Sequence, residues 1–231
     1  WSESTIQNVP PLPQGLDGRV IITKINPDLQ IILSSLNGSQ QKIIARDHAR
    51  AALSPDGSKL AFSTEIGIEI HDLNSGAVAT LKGVQGRDLH WSPDGSKIAM
   101  ALSGELFGIF VTDLQGTIQR QITRLGNESI AGWSPDGAAL FYAIPGPGLE
   151  GSFQLFSVDV SSGEIREEFE LEDSSRKAPL PALSPDGKWI AYRSSENNSL
   201  YLKNMDASPS RLLLDQTGAA ITGISWEKEG Y

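Results

Sequence analysis

The pentapeptide Leu53-Ser54-Pro55-Asp56-Gly57 returns as Trp91-Ser92-Pro93-Asp94-Gly95, Trp133-Ser134-Pro135-Asp136-Gly137 and Leu183-Ser184-Pro185-Asp186-Gly187. A worn fifth copy is Trp226-Glu227-Lys228-Glu229-Gly230. Successive copies stand 38, 42, 50 and 43 residues apart, a period that marks stacked or radial repeats. Each intact copy is followed by an apolar run: KLAFS, KIAMA, AALFYA and KWIAYR. Proline presets a φ of about −65° at the second position of a type I turn. Aspartate tolerates the third position and bonds nearby amides. Glycine accepts the left-handed conformation that closes a hairpin. The repeated aspartates are therefore read as turn chemistry. A calcium ring is disfavoured, because each Asp stands tens of residues from the next without an oxygen-rich loop around it.

Working outward, every unit offers four short runs rich in β-branched and aromatic residues, separated by Gly, Asn, Asp or Ser. In the unit after Gly57 these are Lys59 to Thr64, Ile66 to Leu73, Ala77 to Leu81 and Arg87 to Trp91. Before the first intact copy lie three further strands: Arg19 to Lys24, Leu29 to Leu36 (closed by Asn37-Gly38) and Gln41 to Ala45. Leu106 to Val111 is a continuous apolar run, as expected of a strand buried on both faces. Glu164 to Asp173 has helix-like composition, but its place in the repeat predicts a strand with an acidic exposed face. Four-stranded units repeating every ~40 residues predict an all-β fold, a β-propeller. Trp91, Trp133 and Trp226, with Leu53 and Leu183, hold one equivalent position and are expected in the apolar layer between blades.

WSPDG, an apolar strand and then a strand ending in Asp-Leu resembles the repeats of TolB-type propellers. The second motif reads Ile70-His71-Asp72-Leu73, Val111-Thr112-Asp113-Leu114, Ser157-Val158-Asp159-Val160 and Lys203-Asn204-Met205-Asp206. The first unit departs with Ser35, and the fifth turn with Glu227 and Lys228. WD-repeat propellers share the SPDG turn but carry a Trp-Asp pair that is missing here. The resemblance implies that the strand before each SPDG is the innermost of its blade. Four whole blades then begin near His48, Arg87, Glu128 and Ala178. A lone innermost strand, Ile221 to Trp226, joins the three N-terminal strands in a 3+1 closing blade. Five blades is the expectation, and part of a six-bladed ring is the alternative. Residues 1–17 are polar and proline-rich, a linker or N-terminal arm, and residues 18–231 form a single propeller domain. The chain opens on Trp1, as a processed or excised sequence would.

The net charge of −9 argues against a nucleic-acid partner, which needs a basic footprint. With no cysteine, disulfides and thiolate sites are excluded. No apolar run reaches the ~18 residues that span a bilayer, so no membrane insertion is expected, and no stretch reads as a signal peptide. No cofactor and no metal site are expected. Neither HxH nor HxxxH spacing occurs among His48, His71 and His90, and no GxSxG elbow is present. His71 is expected to face solvent, and His90 to lie buried beside Trp91.

With this phasing, the loops entering the innermost strands and those between second and third strands share one rim around the channel mouth. His48, Arg50, Arg87, Asp88, Glu128, Arg176 and Lys177 converge there, and they are the candidate binding residues. Loops at one end of a rigid scaffold commonly carry recognition, so the leading reading is a non-enzymatic scaffold for a protein or peptide partner. The resemblance implies a bacterial periplasmic or cell-surface setting. One alternative is a glycan-binding or glycosidase-like site, with Asp88 and Glu128 as the carboxylate pair. Another is an accessory propeller of a larger enzyme. Oligomeric state has no signal in the sequence.

Overall fold

The computed structural model describes residues 51–83, 86–102, 107–145, 152–171, 181–193, 199–206 and 209–214, with the backbone alone of three N-terminal strands. Those strands, β1 (Arg19–Lys24), β2 (Gln30–Ser35) and β3 (Gln41–Arg46), form an antiparallel three-stranded sheet. Four four-stranded meanders follow. The first is β4 (Ala51–Leu53), β5 (Lys59–Thr64), β6 (Gly67–Asp72) and β7 (Val78–Lys82). The second is β8 (Gly86–Trp91), β9 (Lys97–Leu102), β10 (Gly108–Asp113) and β11 (Ile118–Gln121). The third is β12 (Ser129–Trp133), β13 (Ala139–Pro145), β14 (Phe153–Asp159) and β15 (Ile165–Leu171). The fourth is β16 (Ala182–Leu183), β17 (Trp189–Arg193), β18 (Leu200–Asn204) and β19 (Arg211–Leu214). The strand before each SPDG ends its sheet, and these end strands neighbour one another: β4 with β8, β8 with β12, β12 with β16. They are the innermost strands of an all-β propeller. Ile221 to Trp226, the expected closing strand, and residues 1–17 lie outside the described residues.

The second strand of each blade shows why the sheets stack. On β9, Ile98, Met100 and Leu102 pack toward the preceding blade, where they meet Ile68, Ile70 and Leu81. Ala99 and Ala101 alternate with them and meet Ile130, Trp133 and Tyr142 of the next blade. Strand side chains alternate between faces, so one run feeds two cores. β5 repeats the pattern, with Leu60 and Phe62 on one face and Ala61 on the other. Ile190 and Tyr192 of β17 close onto Phe153, Leu155 and Leu171. Trp91 and Trp133 lie in these layers as expected, and their indole N–H groups donate to the preceding innermost strand, at Ala52 O (2.9 Å) and His90 O (3.1 Å).

The SPDG turn has one hydrogen-bond set, used four times. Gly57 N donates to Ser54 O (2.8 Å) and Ser54 N to Lys59 O (2.8 Å). Ser54 Oγ donates to Asp56 Oδ1 (2.5 Å) and accepts from Lys59 N (2.8 Å), while Ser58 N donates to Asp56 Oδ1 (3.0 Å). Ser92, Ser134 and Ser184 do the same with Asp94, Asp136 and Asp186. The closing glycines have φ between 67° and 71°, the left-handed region the sequence requires. At the other turn of each blade, Asp72 Oδ1 accepts from Asn74 N and Ser75 N, and Asp159 Oδ1 from Ser161 N and Ser162 N. In the fourth blade Asn204 stands at this register position, opposite Trp189, and its Oδ1 accepts from Asp206 N (2.9 Å).

Some local readings change. β15 is a strand with an exposed acidic face, as its repeat position predicted. The apolar run from Leu106 does not all enter the core: β10 begins at Gly108, and Phe107 remains 45% exposed. A side chain at Gly108 would collide with the carbonyl oxygen of Thr123, so the strand edge closes there. His71 does not simply face solvent. Its ring lies 4.7 Å from that of Phe62 and its Nε2 is 2.9 Å from Glu69 Oε2. Arg120, on β11, reaches across to the next blade and donates to the carbonyls of Val160 (2.9 Å), Ser161 and Ser162 (3.0 Å).

These turns set an acid dependence. The serine hydroxyl beside each carboxylate is the main cause that lowers Asp56 and Asp94 from 3.8 to about 2. A depressed carboxylate favours the folded state above the ordinary value, and that contribution is lost as the pH falls through about 2. Urea-unfolding midpoints of the wild type should therefore drop between about pH 4 and pH 2. Asp94→Asn should be less stable at pH 6 and should lose less over that window. Ser92→Ala leaves the half-buried Lys97 amide without its acceptor and should cost about 1 kcal/mol in the same assay.

Candidate functional site: a rim between the second and third blades

Of the seven candidate residues, the structure describes Arg87, Asp88 and Glu128. His48, Arg50, Arg176 and Lys177 lie outside the described residues. Arg87 and Asp88 sit at the start of β8, where the ladder to β9 shifts register between Arg87 and His90. Asp88 takes up the irregularity with φ 54°, the one positive value of a non-glycine among the described residues. Aspartate tolerates this conformation better than most residues. Arg87 is exposed, and its Nη2 donates to Gly126 O (3.2 Å). Arg87 and the loop before β12 are thus brought together.

Glu128 has a different position from the one expected of a channel-lining carboxylate. It is 4% exposed, and its Oε1 accepts from Thr123 Oγ1 and from Leu125 N (2.9 Å). Thr123 Oγ1 in turn accepts from Ile109 N (2.9 Å) of β10. The carboxylate therefore ties the 123–128 loop to itself and to the second blade. Its charge also reaches Tyr142, whose phenol is raised chiefly by burial and further by Glu128. Asp88 is half-buried at the start of β8, whereas Glu128 is enclosed in its own loop. Among the described residues, no three His, Asp or Glu side chains gather as a metal set.

His90, partly buried next to Trp91, is held down to about 4 by burial, so its imidazole is neutral at physiological pH. Its backbone carbonyl accepts from Trp133, which makes it part of the blade junction.

Sequence reasoning missed the apolar members of the rim. Phe107 is 45% exposed and Leu125 57% exposed. Gly126 faces Phe107, since a Cβ there would stand 3.6 Å from the Phe107 side chain. Gln121 Nε2 donates to Phe107 O (3.1 Å) and fixes the other side of that residue. The signal was an apolar residue inside an otherwise polar loop, in Arg124-Leu125-Gly126-Asn127, and it is weak in a single sequence. Ile66, 61% exposed in the β5–β6 turn, stands on the same rim one blade back. Arg87 of β8 and Phe107 before β10 thus both meet Gly126, the residue after exposed Leu125 in the 123–128 loop.

A family model described as the TolB beta propeller domain matches residues 23–223. The chain belongs to this family. An uncharacterised protein of Agrobacterium fabrum is 31% identical over 115 residues, which cover 48% of this chain and 36% of the relative. The crystal structure of TolB from Acinetobacter baumannii superposes with a TM-score of 0.69 at 21% identity, over 85% of this chain and 52% of that one. The structure of a putative TolB from Agrobacterium tumefaciens gives 0.67 at 22% identity, over 81% and 70%. The TolB-like chain thus spans about a third of the curated relative and about half of the Acinetobacter protein. At these structural identities the likeness shows the fold, and function has to be argued from the site.

Gly126 has φ 82°, so any substitution there meets the left-handed penalty. Gly126→Ala should destabilise the TolB-like domain by about 1–2 kcal/mol in urea unfolding. Gly126→Asn should cost clearly less, because asparagine tolerates this conformation.

Proposed function

We propose that this TolB-like propeller is a non-enzymatic scaffold that binds a protein or peptide segment at the rim carrying Arg87, Phe107 and Leu125. One observation carries the reading: exposed Arg87 donates to the carbonyl of Gly126, which faces exposed Phe107 and directly follows exposed Leu125. Interface hot spots are enriched in aromatic residues and arginine, and preorganised loops lose less entropy on binding. One of the five guanidinium donors of Arg87 is engaged by Gly126 O. The others suit a carbonyl or carboxylate of the incoming chain. By repeat position, the face extends to His48, Arg50, Arg176 and Lys177. The setting proposed from family membership is the bacterial periplasm or cell surface.

Glu128 supports scaffolding over hydrolysis. Catalytic carboxylates of glycosidases flank the scissile bond, whereas this one is enclosed in its own loop.

The test uses a displayed library of linear peptides selected on the wild-type chain. Recovered peptides should bind Arg87→Ala and Leu125→Ser at least tenfold more weakly by calorimetry, while both variants keep the wild-type unfolding midpoint. Peptides that bind the two variants as well as the wild type would remove the proposal. So would a selection that recovers no peptide.

A further inference from the structure

We infer that Glu128 is the positioning residue of this rim: it presets the 123–128 loop so that Leu125 and the Gly126 anchor of Arg87 stand ready before a partner arrives. The inference rests on the rim-binding reading above and assigns Glu128 a role other than touching the ligand.

The geometry is a relay from the core to the surface. Ile109 N, inside the β10–β11 ladder region, donates to Thr123 Oγ1. Thr123 Oγ1 donates to Glu128 Oε1, and the same oxygen accepts from Leu125 N. A single buried oxygen therefore fixes both ends of the segment that carries the exposed Leu125 side chain. Hydrogen bonds to an ionised acceptor are roughly twice as strong as neutral ones. Among the described residues, the one other hydrogen bond to the backbone between Arg124 and Asn127 is that from Arg87 to Gly126 O. Arg87 itself is exposed and would have many rotamers without that carbonyl. Loss of the Glu128 relay releases Leu125, Gly126 and, through Gly126, Arg87.

This makes a kinetic prediction that separates positioning from contact. If only a fraction of molecules holds the loop in its competent form, the apparent affinity falls by that fraction. The loss then appears in association, because the bound state is the same once formed. A residue that touches the ligand instead speeds dissociation when it is removed.

The experiment compares wild type, Glu128→Ala, Glu128→Gln, Thr123→Val and Arg87→Ala in two assays. In amide hydrogen exchange, Glu128→Ala should speed exchange at Leu125 at least tenfold, with Met100 and Tyr142 in the neighbouring strands unchanged. Thr123→Val should speed it less, and Glu128→Gln, which keeps an acceptor oxygen, should fall between wild type and Glu128→Ala. In surface binding to the tightest library peptide, Glu128→Ala should slow association about fivefold or more and leave dissociation within about twofold. Arg87→Ala should mainly speed dissociation. Unchanged exchange at Leu125 in Glu128→Ala would overturn the inference, as would faster dissociation in that variant matching Arg87→Ala. If the library yields no peptide, the binding reading fails, and the exchange assay still decides whether Glu128 holds the loop.

Discussion

Each blade is a thin sheet with two apolar faces, and neither can be left in water. Everything else in this chain answers to that constraint. At about 25 cal/mol per Å² of apolar surface, a blade alone would expose most of what it needs to bury. Only like neighbours on both sides satisfy it. The second strands show the solution in their side-chain order. Large residues such as Ile98 and Met100 turn one way, and Ala99 and Ala101 turn the other. Facing layers therefore interdigitate at close packing, and the same order recurs in β5 and β17. Trp91 and Trp133 complete the layer near the centre, where a buried indole N–H has to find an acceptor. The preceding innermost strand supplies one.

Stacking fixes the blades but not the register within each, and that is where the polar turns act. A one-residue slip would turn every strand inside out. The Ser-Pro-Asp-Gly turn resists it by committing the serine hydroxyl and one carboxylate oxygen to amides at set distances along the chain. The repeated aspartates are thus committed to the turn, in line with their sequence reading, and the lowering of Asp56 and Asp94 to about 2 has the same bonds as its main cause. Substitution of Asn204 for aspartate in the fourth blade keeps the acceptor and drops the charge. That second turn, after the third strand of the blade, thus needs an oxygen at that point more than it needs an anion.

The fold was readable because its causes are periodic. Four SPDG copies predicted four hairpins, the strand order within each blade followed from spacing, and even the acidic run at Glu167 to Glu170 could be assigned as a strand by its place in the unit. The rim was only half readable. Repeat phasing places whole loops, and Arg87 meets the loop ending at Glu128 through Gly126 O. Which side chains of a loop face out depends on single contacts. Glu128 turned inward onto Thr123 and Leu125, and Phe107 turned outward where Gly108 closes against Thr123. Nothing in charge or hydropathy distinguishes those outcomes, since a polar loop residue buried by its own loop reads like one in solvent.

The repeat also separates structural roles from functional ones. A residue present at the same position in every blade answers a need that every blade has, which is packing or turn formation. Recognition of one partner does not repeat around a ring of unequal loops, so it is carried by what differs between blades. The connections around Phe107 and Leu125 differ from their counterparts in the first blade, where the β5–β6 turn is two residues, Glu65 and Ile66. At this one junction an apolar pair, an arginine and a left-handed glycine meet over a carboxylate that the repeat pattern does not require. The framework can be as regular as packing demands. The departure at one junction is where this TolB-like domain differs from its own repeat, and the binding proposal rests on that difference.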